Sequence, residues 1–198
     1  YFTDHVSNKD AIGEIKTIFW CGRITKKKGV LELLRAFYET DQQKQNVVLK
    51  IAAKLDDTTR QYIQQFESEG LTQNVDFVGW LSRDEVKKAI READLIVYPS
   101  TYLEPFGRLP LEAMAMKKPV IVSGFGGLKE IVEDGVSGVI VNPFDTKSFA
   151  KAIDDCLNNS ELSDRLALNG YLRALNHFSN SDVAASYIEL FQDITGSY

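Results

Sequence analysis

The sequence is poor in the residues that build metal centres, disulfide frameworks and nucleic-acid surfaces. Its two histidines, His5 and His177, have no cysteine or carboxylate neighbours at metal-ligand spacing. Two cysteines, Cys21 and Cys156, are too few for a disulfide framework, and we predict buried thiols in a reducing compartment. The net charge of −5 argues against a nucleic-acid partner, because a protein that holds a polyanion is usually basic.

Several motifs and long apolar runs are missing as well. No apolar run approaches the roughly 18 residues that span a bilayer, and no secretory signal is recognisable. The Gly-x-Ser-x-Gly elbow of hydrolases, the Walker loop and the dinucleotide fingerprint Gly-x-Gly-x-x-Gly are all absent. No Asp-x-Asp pair occurs, so a metal clamp of that kind on a nucleoside diphosphate is not indicated and we predict no metal site. What remains is an ordinary globular composition, 44% hydrophobic and 26% charged.

The apolar residues alternate between short strand-like runs and amphipathic helical runs. Strands are predicted at residues 17–21, 47–53, 75–78, 94–98, 120–123 and 138–141. Several are apolar at consecutive positions, which is typical of parallel strands covered on both faces. Six βα repeats predict a Rossmann-like α/β fold, a doubly wound parallel sheet of about six strands with helices on both faces.

Helix boundaries are marked by capping residues. Ser82 and Glu85 form a capping-box pattern that opens one helix, and Asp145 is placed to cap another. Two further helices are predicted near residues 161–175 and 181–194. The polar segment 1–14 is predicted to be a linker, and residues 15–198 a single domain that includes the C-terminal helices.

Two carboxylates, Glu104 and Glu112, flank a turn that follows the fourth predicted strand. Pro105 and Gly107 disfavour helix around Glu104, while Pro110 suits the first turn of a helix. We therefore predict Glu104 on a loop at a strand end and Glu112 in the first turn of the next helix. Ligands bind at such strand ends in open α/β sheets, and backbone N–H groups from Gly107 onward would favour an anion.

Two more loops after predicted strands carry ligand-type residues. In the loop 22–29, Arg23 offers a planar fork for phosphate and Lys28 a compact charge, although the lysine run at 26–28 is also explained by a solvated basic turn. Gly29 would let a ligand or the next helix approach. The loop 123–127 has three glycines, which allow close approach of a ligand or make a flexible turn.

Taken together, these motifs resemble the C-terminal, nucleotide-sugar-binding half of a GT-B glycosyltransferase, and more narrowly the retaining enzymes of glycosyltransferase family 4. The resemblance covers about residues 15–194. It rests on the Arg-x4-Lys-Gly loop that includes Gly22, on the Glu-x7-Glu segment from Ser100 to the helix after Gly107, and on the paired glycines 126–127.

The resemblance implies a role for each matching position. Arg23 and Lys28 would hold the diphosphate of a nucleoside-diphosphate sugar and stabilise it as it leaves, and Glu112 would accept hydrogen bonds from the ribose. Glu104 would contact the donor sugar together with the backbone at residues 106 and 107, and the loop 78–81 would lie near the base. The full set of donor-binding positions implied is Gly22, Arg23, Lys28, Ser100, Glu104, Phe106, Gly107, Arg108, Leu109 and Glu112, with Glu104, Arg23 and Lys28 as catalytic residues.

The resemblance also implies what lies outside the chain. A GT-B enzyme has two Rossmann-like domains, so a preceding domain would bind a glycan or lipid-linked acceptor, and this half alone would turn over poorly. No metal or other cofactor is expected. A cytoplasmic protein is implied, and peripheral attachment to the inner face of the membrane through the preceding half stays open. Two other functions stay open as well: a non-catalytic nucleotide-sugar-binding module, and a different GT-B enzyme such as an epimerase or phosphorylase.

Overall fold

The computed structural model describes residues 15–40 and 46–178. Within them, one sheet is built from six parallel strands, and all six predicted strands are confirmed to within about a residue at each end. The strands are β1 (Lys16–Cys21), β2 (Val47–Ala52), β3 (Val75–Gly79), β4 (Leu95–Tyr98), β5 (Val120–Ser123) and β6 (Val139–Val141).

The strand order is β3-β2-β1-β4-β5-β6, so the chain runs outward in one direction from β1 and then returns to build the other half from β4. Residues 18 and 19 of β1 pair with residues 95 and 96 of β4 at the centre. From here the loop after β1 leads to a helix on one face of the sheet and the loop after β4 leads to a helix on the other, and in such sheets the crevice at this point binds ligands. Lys28 lies on the loop after β1, and Glu104 lies on the loop after β4.

Helices cover both faces of the sheet, as predicted. They are α1 (Val30–Glu39), α2 (Asp57–Ser68), α3 (Arg83–Glu92), α4 (Arg108–Ala115), α5 (Leu128–Ile131), α6 (Thr146–Asn158) and α7 (Ser160–His177). Successive side chains of a strand enter opposite cores: Ile18 and Trp20 pack on the side of α1 and α6, whereas Phe19 packs on the side of α3 and α4. All three are fully buried, so the central strand is a rigid support for the loop that follows it.

The predicted caps are confirmed. Ser82 accepts from the Glu85 backbone N–H, and Glu85 accepts in return from the Ser82 N–H, which completes a capping box at α3. Asp145 caps α6 by accepting from the N–H of Ser148. The helix predicted near 161–175 is α7, and His177 ends it. The helix predicted near 181–194 and the linker 1–14 lie outside the described residues.

The start of α4 differs from the prediction. The helix begins at Arg108, immediately after Gly107, and its first backbone bond runs from the N–H of Leu111 to the carbonyl of Gly107. Pro110 is therefore its third residue, where a missing N–H costs nothing, as expected. Glu112 is its fifth residue, so it lies in the second turn and not in the first. Gly107 rather than Pro110 sets the helix start.

None of the helices within the two described stretches combines the length and the hydrophobicity that a membrane crossing requires.

Candidate functional site

The loop after β1 is pressed against the end of β4. A single 3-10 turn spans Lys26–Lys28, and Gly29 then adopts a left-handed backbone with φ of 67°. A Cβ atom at Gly29 would lie 1.8 Å from the carbonyl oxygen of Pro99, so only glycine fits here. The chain at the end of β4 therefore approaches Gly29 closely, and helix α1 starts at the next residue. This contact turns Lys28 toward the neighbouring loop.

Backbone hydrogen bonds join the two loops. The Thr101 N–H donates to the carbonyl of Lys27 at 2.9 Å, and its hydroxyl donates to the carbonyl of Lys26 at 2.9 Å. The side chains of Lys26 and Lys27 are exposed, which fits a solvated basic turn, but that of Lys28 is only 20% exposed. The two interpretations of the lysine run therefore apply to different residues.

Lys28 and Glu104 form an ion pair at the bottom of the crevice. The Lys28 Nζ donates to Glu104 Oε2 at 2.7 Å, to the Tyr98 hydroxyl at 2.9 Å and to the Tyr102 hydroxyl at 3.2 Å. Glu104 Oε2 also accepts from the Ser100 hydroxyl at 3.0 Å and from Tyr98 at 3.3 Å. Only 8% of the Glu104 side chain is exposed. The pair therefore sits in a small polar network enclosed by apolar core.

The network keeps both members of the pair charged. Burial alone would lower the pKa of Lys28, but its hydrogen bonds to Glu104, Tyr98 and Tyr102 outweigh burial and raise it. Burial alone would raise the pKa of Glu104, but hydrogen bonds from Lys28, Tyr102 and Ser100 hold it below its usual range. Burial raises the pKa of Tyr98 despite the opposing Lys28 charge, so its hydroxyl keeps its proton.

The glycine-rich loop after β5 packs against the backbone of the segment that contains Glu104. The Gly127 N–H donates to the carbonyl of Glu104 at 2.7 Å, and Gly126 has φ of 65°. A Cβ atom at Gly126 would lie 2.4 Å from the Glu104 carbonyl oxygen, and one at Gly127 would lie 2.4 Å from that of Pro105. Within the described residues, the group that lies closest to these two glycines is the backbone of Glu104 and Pro105. The loop therefore supports the backbone that carries Glu104. The sequence analysis predicted either a ligand-binding loop or a flexible turn, and neither includes this role.

A cavity of about 520 Å³ opens beside the ion pair at the carboxyl edge of the sheet. Glu104 and Tyr98 form its inner end, and Trp80, which is 71% exposed, stands at its outer rim. The residues lining it are Cys21, Ala52, Trp80, Leu81, Arg83, Val86, Tyr98, Glu104, Phe106, Arg108, Leu109 and Glu112. The lining is thus largely apolar and contains two carboxylates, Glu104 and Glu112. Such a lining suits a ligand with an aromatic ring and hydroxyl groups.

Glu112 and Arg108 meet on one wall of this cavity. The Arg108 Nη2 donates to Glu112 Oε1 at 3.3 Å across one turn of α4, and the arginine side chain is largely exposed. Glu112 also affects a second residue that lines the cavity. The pKa of Cys21 is raised to about 11, mainly by burial and to a lesser degree by the negative charge of Glu112. Cys21, expected to be a buried thiol, is half-buried and faces the cavity.

The remaining predicted residues lie outside the ionic network. Phe106, Arg108, Leu109 and Glu112 line the cavity, whereas Gly22, Arg23 and Gly107 do not. Arg23 is exposed and makes no hydrogen bond or ion pair with any residue that the structure describes. Gly22 donates its N–H to the carbonyl of Ala52, which closes the end of β1. Phe106 is partly exposed and packs at 6.3 Å on the ring of Phe178. The structure therefore brings Lys28, Ser100 and Glu104 together and leaves Arg23 apart from them.

The two tyrosines of the network were missed by the sequence analysis. Tyr98 was assigned only to the end of an apolar strand, and Tyr102 was not considered. A signal was available, because the two tyrosines and Ser100 lie within six residues of Glu104, on a loop that leaves a strand end. No group of three or more His, Cys, Asp or Glu side chains within the described ranges is placed to hold a metal ion.

A family model described as "Glycosyl transferases group 1" matches residues 4–173. The chain belongs to the group 1 glycosyl transferases. This confirms the family in its broad sense, and the parallel sheet confirms the predicted fold, the C-terminal half of a GT-B enzyme.

Known group 1 transferases and GT-B structures resemble this chain over most of its length. The uncharacterized glycosyltransferase MJ1607 of Methanocaldococcus jannaschii is 33% identical over 178 residues, which are 89% of this chain and 45% of that protein. The crystal structure of Anabaena Alr3699/HepE in complex with UDP and glucose superposes with a TM-score of 0.78 at 25% identity, over 89% of this chain and 48% of that one. The chain spans about half the length of the curated relatives it matches.

A second solved structure, itself a single domain, matches over most of its length. The C-terminal domain of the group 1 glycosyl transferase LpcC from Francisella tularensis is 27% identical, with a TM-score of 0.72, over 85% of this chain and 88% of that domain. This group 1 transferase chain therefore has the fold of a C-terminal domain of its family.

Proposed function

We propose that this chain is the donor-binding domain of a retaining glycosyltransferase of family 4, which transfers a hexosyl group from a nucleoside-diphosphate sugar to a glycan or lipid-linked acceptor. The observation that carries the proposal is the charged network of Lys28 and Glu104 at the inner end of a cavity with Glu112 on its wall. The HepE structure, which contains UDP and glucose, supports the same ligand class for this site.

The cavity suits the nucleoside end of the donor. Trp80 and Leu81 offer an apolar surface for the base, and the Glu112 carboxylate accepts hydrogen bonds from the ribose hydroxyls. Arg108 holds that carboxylate from one side through their ion pair. Phe106 and Leu109 complete the wall toward the sugar. The backbone at Gly107 contacts the sugar in this proposal.

The diphosphate lies between Lys28 and Arg23 in this proposal. Breaking a glycosyl–phosphate bond develops negative charge on the diphosphate, and a fixed donor aimed at that charge is worth about 3 to 4 kcal/mol. The network fixes the Lys28 ammonium, while the exposed Arg23 guanidinium has no competing partner within the described residues. Arg23 therefore adds a planar phosphate contact when the donor arrives.

Glu104 acts on the sugar side of the bond. Its carboxylate is held ionised by Lys28, so it can orient a sugar hydroxyl and stabilise the positive charge that develops at the anomeric carbon. The sugar keeps its anomeric configuration, and no metal takes part. Residues 1–14 connect to a preceding domain that binds the acceptor, so this chain alone binds donor and turns over poorly.

Calorimetric titration with UDP, GDP and ADP and their sugars tests the donor site and identifies the base. Because Glu112 is proposed as the ribose ligand, Glu112→Ala should weaken binding of the preferred nucleoside diphosphate by roughly tenfold. Glu67→Ala, on the exposed face of α2, is the matched control and should bind normally. Equal affinity of Glu112→Ala and the unmodified chain would remove Glu112 from the site.

A product assay on the polypeptide that carries both domains separates the alternatives. A new glycoside with retained configuration supports the proposal. An epimerised sugar nucleotide or a sugar phosphate assigns a different GT-B reaction, and the absence of both transfer and donor hydrolysis leaves a binding module.

A further inference from the structure

The Tyr98 hydroxyl touches both charges of the ion pair. It accepts a hydrogen bond from the Lys28 Nζ at 2.9 Å and donates one to Glu104 Oε2 at 3.3 Å. One phenol thus connects the cation and the anion of the site.

Tyr98 is better anchored than Tyr102, the other tyrosine that holds Lys28. It is the last residue of β4, at the centre of the sheet, and its ring is 8% exposed within the core on the side of α3 and α4. Tyr102 lies on the loop beyond the strand and its hydroxyl is farther from Nζ, at 3.2 Å. A lysine side chain has a flexible four-carbon stem, so its ammonium needs an anchored partner to stay in one place.

The three N–H donors of Lys28 are all occupied in this structure, by Glu104, Tyr98 and Tyr102. A phosphate oxygen that binds Lys28 must therefore replace one acceptor. The Tyr102 bond is the longest of the three, and Tyr102 is only partly buried, whereas Tyr98 and Glu104 are buried residues with shorter bonds to Lys28. Exchange at Tyr102 leaves Tyr98 to hold the ammonium while the third N–H turns to the diphosphate.

We propose that Tyr98 is a positioning residue of the donor site, which fixes the Lys28 ammonium and the Glu104 carboxylate relative to each other so that Lys28 meets the diphosphate by exchanging only its bond to Tyr102. This inference rests on the proposed function. The Tyr98 hydroxyl is engaged by Lys28 and Glu104, so the effect of removing that hydroxyl should be confined to ligands that carry phosphate.

The test compares Tyr98→Phe with the unmodified chain by calorimetry, using whichever of UDP, GDP and ADP binds best and the matching nucleoside. Phenylalanine keeps the ring and loses the hydroxyl, so diphosphate affinity should fall roughly tenfold while nucleoside affinity stays unchanged. The matched control is Tyr62→Phe, a half-buried tyrosine of α2 that stacks on Phe66 and whose hydroxyl makes no hydrogen bond with described residues. It should change neither affinity.

A double-mutant cycle shows whether Tyr98 acts through Lys28. In the Lys28→Ala background, Tyr98→Phe should cost less than about twofold in diphosphate affinity, because the group it positions is gone. A full loss in that background, an equal loss for the nucleoside, or no loss in the single variant would each overturn the inference.

Should Tyr98→Phe melt early, the unmodified chain gives a second measurement. The NMR signal of the Tyr98 ring carbon that bears the hydroxyl should shift on adding the diphosphate and not on adding the nucleoside, and an unmoved signal would overturn the inference. If the unmodified chain binds none of the three nucleoside diphosphates, the proposed function itself fails, which is a distinct outcome.

Discussion

Among single residues, the pair of Lys28 and Glu104 joins two loops that are 76 positions apart in the sequence. Ion pairs on a surface contribute little to stability, but a pair this enclosed leaves an uncompensated charge when one partner is removed. The pair therefore serves the fold and the proposed donor site together. Its cost in stability and its effect on binding can be measured separately.

The first prediction concerns stability. Glu104→Gln leaves the Lys28 ammonium without its counter-charge and should lower the free energy of unfolding by about 2 kcal/mol, less than for a fully buried pair because Lys28 keeps some exposure to water. Glu69→Gln is the matched control, since Glu69 pairs with Arg35 at 3.3 Å on the surface, where an ion pair contributes little, and its free energy of unfolding should stay close to that of the unmodified chain. Urea denaturation measures both, and equal costs would contradict an enclosed pair.

The second prediction concerns pH. The folded pKa of Glu104 lies below its usual value of 4.5, so its contribution is complete above that pH and is lost as the pH falls through the folded pKa. The pKa of Lys28 is raised above 10.5, so its contribution is complete below that pH and is lost only as the pH rises through the folded value. The stability difference between the unmodified chain and Glu104→Gln should be flat from about pH 6 to about pH 9 and shrink in acid. A difference that grows in acid would contradict the assignment.

Among elements, the strands were the most predictable part of the molecule. Consecutive apolar residues bounded by polar turns located all six, and the capping residues Ser82 and Asp145 located the helix starts at Arg83 and Thr146. The start of α4 was missed because proline and glycine both break helices nearby, and only the packing shows which one sets the boundary. A Cβ atom at Gly107 would lie 2.4 Å from the Leu128 side chain, a contact that no local pattern reveals.

The glycine loop after β5 shows the same limit. From the sequence, three glycines indicated either a ligand loop or a flexible turn. In the structure, Gly126 and Gly127 pack against the backbone of Glu104 and Pro105 and support it. That assignment requires knowing that β4 and β5 are neighbours, which is a property of the sheet order and not of the loop.

The third prediction tests this support. Gly126→Ala and Gly135→Ala both place a side chain at a positive φ, 65° and 69°, but only the alanine at 126 would collide with the Glu104 backbone. We expect Gly135→Ala to cost about 1 kcal/mol, from backbone strain alone, and Gly126→Ala about 3 kcal/mol. Gly126→Ala should also weaken nucleoside diphosphate binding. Equal costs in urea denaturation would contradict the supporting role.

For the whole molecule, the sheet order decides where the site lies. Lys28 follows β1 and Glu104 follows β4, and these strands are adjacent where the order reverses. The sequence predicted that both loops leave the carboxyl edge of the sheet, and their direct contact follows once β1 and β4 are known to pair. Alternation of strands and helices does not specify which strands are neighbours, so the ion pair and the tyrosines around it were not foreseen.

The family match and the fold of a C-terminal GT-B domain account for the architecture, and the charged network accounts for the proposed chemistry. The central claim is that Lys28 binds the diphosphate of a nucleotide sugar. The most direct measurement is calorimetry with the preferred nucleoside diphosphate and its nucleoside on Lys28→Ala, with the exposed Lys54→Ala as control. We predict a loss of diphosphate affinity of roughly tenfold or more for Lys28→Ala, with nucleoside binding retained and the control unaffected. Unchanged diphosphate affinity in Lys28→Ala would contradict the account.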